Sequence, residues 1–116
     1  MGGGALALAE AAPAEAATAR GVSSEARVLD SIGETKNMKP VSTHEGTSIP
    51  DFQNSKVVGE IKDTKIVSNT RQLRIQKGAA QQSNRTHRLI TGNKTKVTKN
   101  AARNTTVVRR KDLGPK

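Results

Sequence analysis

The sequence predicts an α/β fold, and three observations carry that reading. Helical patterning alternates with short β-branched runs in the order helix, hairpin, helix, strand, helix, strand. A chain of 116 residues is the size of one small domain. Its 24 Leu, Ile, Val, Phe and Met residues, with Phe52 the sole aromatic, are enough for one thin core and no more.

Residues 1–21 are three glycines and an alanine-rich run with Pro13 and only two leucines, which reads as a flexible tether ahead of a domain over residues 22–116. The basic leading segment and long apolar stretch of a secretory signal are missing from it. Ser23 and Ser24 form an N-cap pair ahead of Glu25, Ala26, Val28, Leu29 and Ile32, with Gly33 placed to end that helix. The polar stretch from Thr35 to Gly46 reads as loop or edge strand. Ser48 to Phe52 and Lys56 to Lys62 are two extended segments around the turn-forming Gln53-Asn54-Ser55, a β-hairpin.

A second helix is signalled by Ser68-Asn69-Thr70, with Gln72 in capping-box spacing from Asn69, and it should reach about Ala80, weakened by Gly78. Thr86 to Thr91 and Thr105 to Arg109 are two more β-rich runs, joined by a basic segment with room for a turn and a short helix near Asn100-Ala101-Ala102.

Composition excludes several classes of function. Without cysteine there is no disulfide framework, thiolate zinc site or cysteine nucleophile. No apolar run approaches the roughly 20 residues of a membrane helix. Charge is divided unevenly: residues 1–50 hold four Lys/Arg against six Asp/Glu, whereas residues 51–116 hold sixteen against four. Polyanions seek such a half, and nucleic acid, an acidic protein and plain solubility all satisfy the arithmetic.

On a strand, residues two apart share a face, so Glu60 and Lys62 emerge together while Gly59 and Ile61 face the other way. A hairpin turn centred on Asn54-Ser55 sets Asp51 opposite Val58 and diagonal to Glu60, bringing two carboxylates and one ammonium together. Such carboxylates suit magnesium or manganese, a metal so held activates water and neutralises phosphodiester charge, and a nearby lysine orients the nucleophile. Glu34-Thr35-Lys36 and Asp63-Thr64-Lys65 match the same acidic-x-Lys pattern, but only Glu60-Ile61-Lys62 has apolar Val57-Val58 before it and a Pro-Asp pair across a turn. Thr47 and Ser48 stand just ahead of the hairpin, where their hydroxyls can support the site.

Ile49-Pro50-Asp51-Phe52, then Gly59-Glu60-Ile61-Lys62-Asp63, then Thr70-Arg71-Gln72-Leu73-Arg74-Ile75-Gln76, with the ending Val107 to Pro115, resembles the restriction-endonuclease-fold nuclease domains of bacterial polymorphic toxins. The resemblance implies a small restriction-endonuclease-like core, a mixed β-sheet flanked by helices, using Mg2+ or Mn2+ and no small-molecule cofactor. It implies Asp51 and Glu60 as metal ligands, the Ile61 carbonyl as a further ligand, Lys62 as the catalytic lysine and Gln72 as a polar residue positioning the site. Glu25 fits the family's auxiliary carboxylate, and equally a helix-start glutamate favoured by the helix dipole. The implied protein is a secreted effector acting in the target-cell cytoplasm on DNA, with an acidic cognate immunity protein as partner.

Arg71, Arg74, Lys77 and His44 are the candidate phosphate contacts. Contacts of that kind carry affinity without sequence information, and one aromatic provides no stacking platform, so low sequence specificity is expected. His87, in a strand, reads as structural. An RNase of the same fold and a non-catalytic basic nucleic-acid-binding module are the alternatives.

Overall fold

The structure, a computed structural model, describes residues 23–116. The tether expected over residues 1–21 lies outside them. Helix α1 covers residues 23–32 and buries Val28 and Leu29, and Gly33 follows at φ 73. Ser23 and Ser24 are already helical rather than capping: the Ser24 hydroxyl donates to Asp63 Oδ2 at 2.5 Å, tying α1 to the chain just beyond the central strand.

Eight strands and two further helices follow. β1 (Val41–Thr43) and β2 (Gly46–Ser48) form an antiparallel hairpin within the stretch expected to be loop or edge strand. β3 (Phe52–Gln53) pairs antiparallel with β4 (Val57–Lys62). β5 (Ile66–Val67) leads into α2 (Arg71–Gln82), β6 (Thr86–Gly92), β7 (Lys96–Val97), α3 (Lys99–Ala102) and β8 (Thr106–Arg110). The main sheet runs β3-β4-β6-β8, with β4, β6 and β8 mutually parallel and β3 antiparallel at one edge, so it is mixed as the resemblance implied. β5 and β7 pair separately as a short parallel ladder.

Alternation along β4 divides the core into two layers. Ile61 and Val57 pack with Val28, Leu29, Phe52, Ile90 and Leu113 on the α1 face. Leu73 of α2 packs with Leu89, Val67 and Ala101 on the other. Each fully buried Leu or Ile contributes about 2 kcal/mol.

Two local expectations are corrected. The hairpin turn centres on Ser55-Lys56: Asn54 N–H donates to the Val57 carbonyl, and Asn54 Oδ1 accepts from the amides of Lys56 and Val57. The register therefore pairs Phe52 with Gly59, two residues along β4 from the expected alignment. Helix α2 is capped by Thr70, whose hydroxyl accepts from Leu73 N–H, rather than by Asn69, and it continues past Gly78 to Gln82. A Cβ at Gly78 would sit 3.2 Å from Thr43 Cγ2, so the glycine lets the β1–β2 hairpin lie close against the helix.

Candidate active site

One step beyond the Phe52–Gly59 pair, Asp51 meets Glu60 across the end of the β3–β4 ladder. The turn shift moves the partner by two positions, which preserves the face and turns the expected diagonal into a direct pair. Asn37 holds the approach to Asp51 from outside. Its side-chain amide donates to the Pro50 carbonyl at 2.9 Å and its backbone N–H to the Asp51 carbonyl at 3.0 Å. The Asp51 carboxylate reaches back to accept the Ile61 amide at 2.8 Å, and the Asp51 amide donates to the Glu60 carboxylate.

Glu60 is 4% exposed. Lys62 Nζ lies 3.4 Å from Glu60 Oε2 and 3.5 Å from Gln72 Oε1, the latter at the outer limit of a hydrogen bond. Burial pushes the Asp51 carboxyl up to about 7, aided by the neighbouring charge of Glu60 and opposed by the Ile61 amide. Burial also raises Glu60, against the pull of Lys62, Gln76 and the Asp51 amide. Two acids brought out of water side by side are harder to ionise than either alone.

Glu25, on α1, ion-pairs with Lys36 at 2.6 Å, and the charges of Asp51 and Glu60 both reach that lysine. Glu25 and Lys36 thus flank the central pair. The rival pattern Glu34-Thr35-Lys36 contributes its lysine here, while Glu34 accepts from the Asn54 side chain at 2.8 Å. The other rival is a clasp: Asp63 accepts from the Ser24 hydroxyl and the Gly114 amide.

Gln72 is exposed near Lys62, and the glutamine one turn later is wholly buried. Gln76 Nε2 donates to Glu60 Oε1 at 2.9 Å and to Ser48 Oγ at 3.1 Å, and Gln76 Oε1 lies 3.0 Å from His87 Nε2. Gln76, not among the candidates named from the sequence, touches the Glu60 carboxylate directly, and His87, read there as structural, lies buried behind it. The available signal was the i, i+4 spacing of Gln72 and Gln76, which sets both on one helix face.

Of the candidate phosphate contacts, three cluster. His44 is exposed in the β1–β2 turn, beside Glu45, whose carbonyl takes Arg71 Nε at 2.8 Å and whose carboxylate takes Arg74 Nε at 3.0 Å. Lys77 departs from that group, and its expected role is corrected. It is 7% exposed, with Nζ donating to the carbonyls of Asn100, Ala101 and Arg103, where it closes the end of α3. Burial lowers its pKa, helped by Arg103 and Arg74.

Among the described residues, no three His, Cys, Asp or Glu side chains form a ready-made metal cage. None of their helices is long and apolar enough to cross a membrane. No curated protein and no solved structure matches the chain. A family model described as restriction endonuclease fold toxin 7 matches residues 21–101, a span that includes Asp51, Glu60, Lys62 and Gln76, and the chain belongs to that family of toxin domains.

Proposed function

We propose that this toxin domain is a divalent-metal-dependent nuclease that hydrolyses phosphodiester bonds in the DNA of a competing cell, with low sequence specificity. The observation that carries the reading is the convergence of Asp51, Glu60 and Lys62 at the end of β4, with both carboxyl groups raised by burial. Hard carboxylate oxygens suit Mg2+ or Mn2+, and magnesium is commonly held by one or two carboxylates plus substrate phosphate rather than by an all-protein cage. Asp51 and Glu60 would hold the ion. Ile61 directs its amide to the β3 side, where Asp51 takes it; the carbonyl of the same extended residue points that way too, past the last β3–β4 pair, and is a third donor. Glu25 is the auxiliary carboxylate beside them.

The ion, when bound, supplies an activated water and neutralises charge developing on the phosphate. Lys62 orients the attacking water and stabilises the charged transition state, while Gln72 steadies its ammonium. Arg71, Arg74 and His44 contact phosphates along the strand without reading bases. The net charge of +10 steers the domain to nucleic acid and favours an acidic immunity protein as the partner that restrains it. The toxin family supports delivery into a target cell, and this reading assigns the action to that cell's cytoplasm.

Plasmid degradation with Mg2+, with chelator, and by Glu60→Ala and Lys62→Ala tests the reading. Cleavage should require the metal and both side chains. Unchanged cutting by both variants ends the assignment. Equal masses of duplex DNA and transfer RNA compared in the same assay decide the substrate, and salt-sensitive binding without cleavage identifies a binding module instead.

A further inference from the structure

Behind the carboxylates runs a chain of buried polar side chains. Gln76 is fully buried, and its two amide ends face different partners: Nε2 is on Glu60 and Ser48, Oε1 on His87. A carboxylate only accepts, so the NH2 end belongs on Glu60 and the carbonyl end is left facing the imidazole. Two acceptors cannot share a hydrogen bond, so His87 must carry a proton on Nε2. Its Nδ1 lies 2.7 Å from the Thr105 hydroxyl, whose single proton is shared between that nitrogen and the His87 carbonyl at 3.1 Å. His87 is 3% exposed, and burial, with the charge of Lys77, lowers its pKa to about 4, so at neutral pH the ring has one proton to place.

We propose that His87 is a positioning residue. Its Nε2–H, the tautomer that the facing Gln76 carbonyl requires, holds that oxygen and so locks the amide with its NH2 end on Glu60. Without that donor the amide is free to turn over and present its oxygen to the carboxylate, which disfavours the ionised form that a cation needs. Groups that orient a ligand in this way change metal affinity about 10- to 100-fold when removed. The inference rests on the reading of Glu60 as a metal-holding carboxylate.

The test measures Mn2+ binding to nucleic-acid-free protein by titration calorimetry for the native chain, His87→Leu, His87→Gln and Glu60→Gln, beside a long-range proton–nitrogen spectrum that reports the imidazole tautomer. The His87 signals should be those of the Nε2–H form. His87→Leu should bind Mn2+ about tenfold or more weakly, and His87→Gln, whose amide can replace the lost donor, should recover most of the affinity. An Nδ1–H tautomer, or native affinity in His87→Leu, overturns the proposal. If His87→Leu does not fold, the tautomer in the native chain decides alone. Loss of binding in Glu60→Gln with full binding in His87→Leu removes only the role of His87, whereas full binding in Glu60→Gln removes the metal reading itself.

Discussion

The ring of Phe52 lies on Gly59 so closely that a Cβ at position 59 would fall 2.1 Å from two of its carbons. These two residues form the last pair of the β3–β4 ladder, and the next position on each strand carries a candidate metal ligand, Asp51 and Glu60. Gly59→Ala should destabilise the domain by about 3 kcal/mol, the upper end for overpacking, and should abolish cleavage even where the protein still folds. Urea unfolding beside plasmid cleavage measures both, and native stability with native activity would contradict the account.

Divalent metal should stabilise the fold as well as support catalysis. A ligand that binds only the native state at 100 times its Kd adds about 2.7 kcal/mol. Thermal unfolding at neutral pH should shift upward with Mg2+ or Mn2+ in the native chain and much less in Asp51→Asn or Glu60→Gln. An equal shift in all three would place the ion elsewhere.

Two buried groups should give the metal-free protein opposing pH dependences. His87 is held near 4 against an ordinary 6.5, so between those values the unfolded chain binds the extra proton, and its share of stability, up to about 3 kcal/mol, is present above pH 6.5 and lost as pH falls through 4. Asp51, raised to about 7, works in reverse: its contribution is present below pH 4 and lost as pH rises through 7. Urea midpoints across pH 4–8 should therefore vary less below pH 6.5 in His87→Gln, and should fall less towards pH 8 in Asp51→Asn, each compared with the native chain.

Lys77 and Arg71 should separate folding from binding. Lys77→Met leaves the carbonyls of Asn100, Ala101 and Arg103 without their shared donor and should cost about 1–3 kcal/mol, with the salt dependence of DNA binding unchanged. Arg71→Ala should leave stability within about 1 kcal/mol and lower the slope of log affinity against log salt by about one. Binding measured over a salt series, with unfolding alongside, checks the pair.

The long elements were legible because their residues repeat a pattern. Val57 to Lys62 and Thr86 to Thr91 are rich in β-branched residues and became β4 and β6, and Thr105 to Arg109 marked β8 to within a residue. β5 and β7 have two residues each, too few for any period to show. The β1–β2 hairpin is polar along most of its length, and only Val41 and Ser48 of its strands are buried. Asp51, Glu60 and Lys62 were readable as a group because strand parity survives a two-residue slip in register. Gln76 and Lys77 were not, because a long polar side chain on a helix is usually solvated, and only tertiary packing shows that both turn inward.

The parallel position of β8 has a consequence for how this domain comes into being. Val107 sits against one face of the core, Val108 and Leu113 against the other, and the Gly114 amide is held by Asp63 directly after the central strand. A chain emerging from the ribosome has made its acidic pair long before it has made the pieces that seal both layers around it. Closure of both layers therefore waits on β8 and the stretch around Leu113, and the domain is whole only once they have arrived.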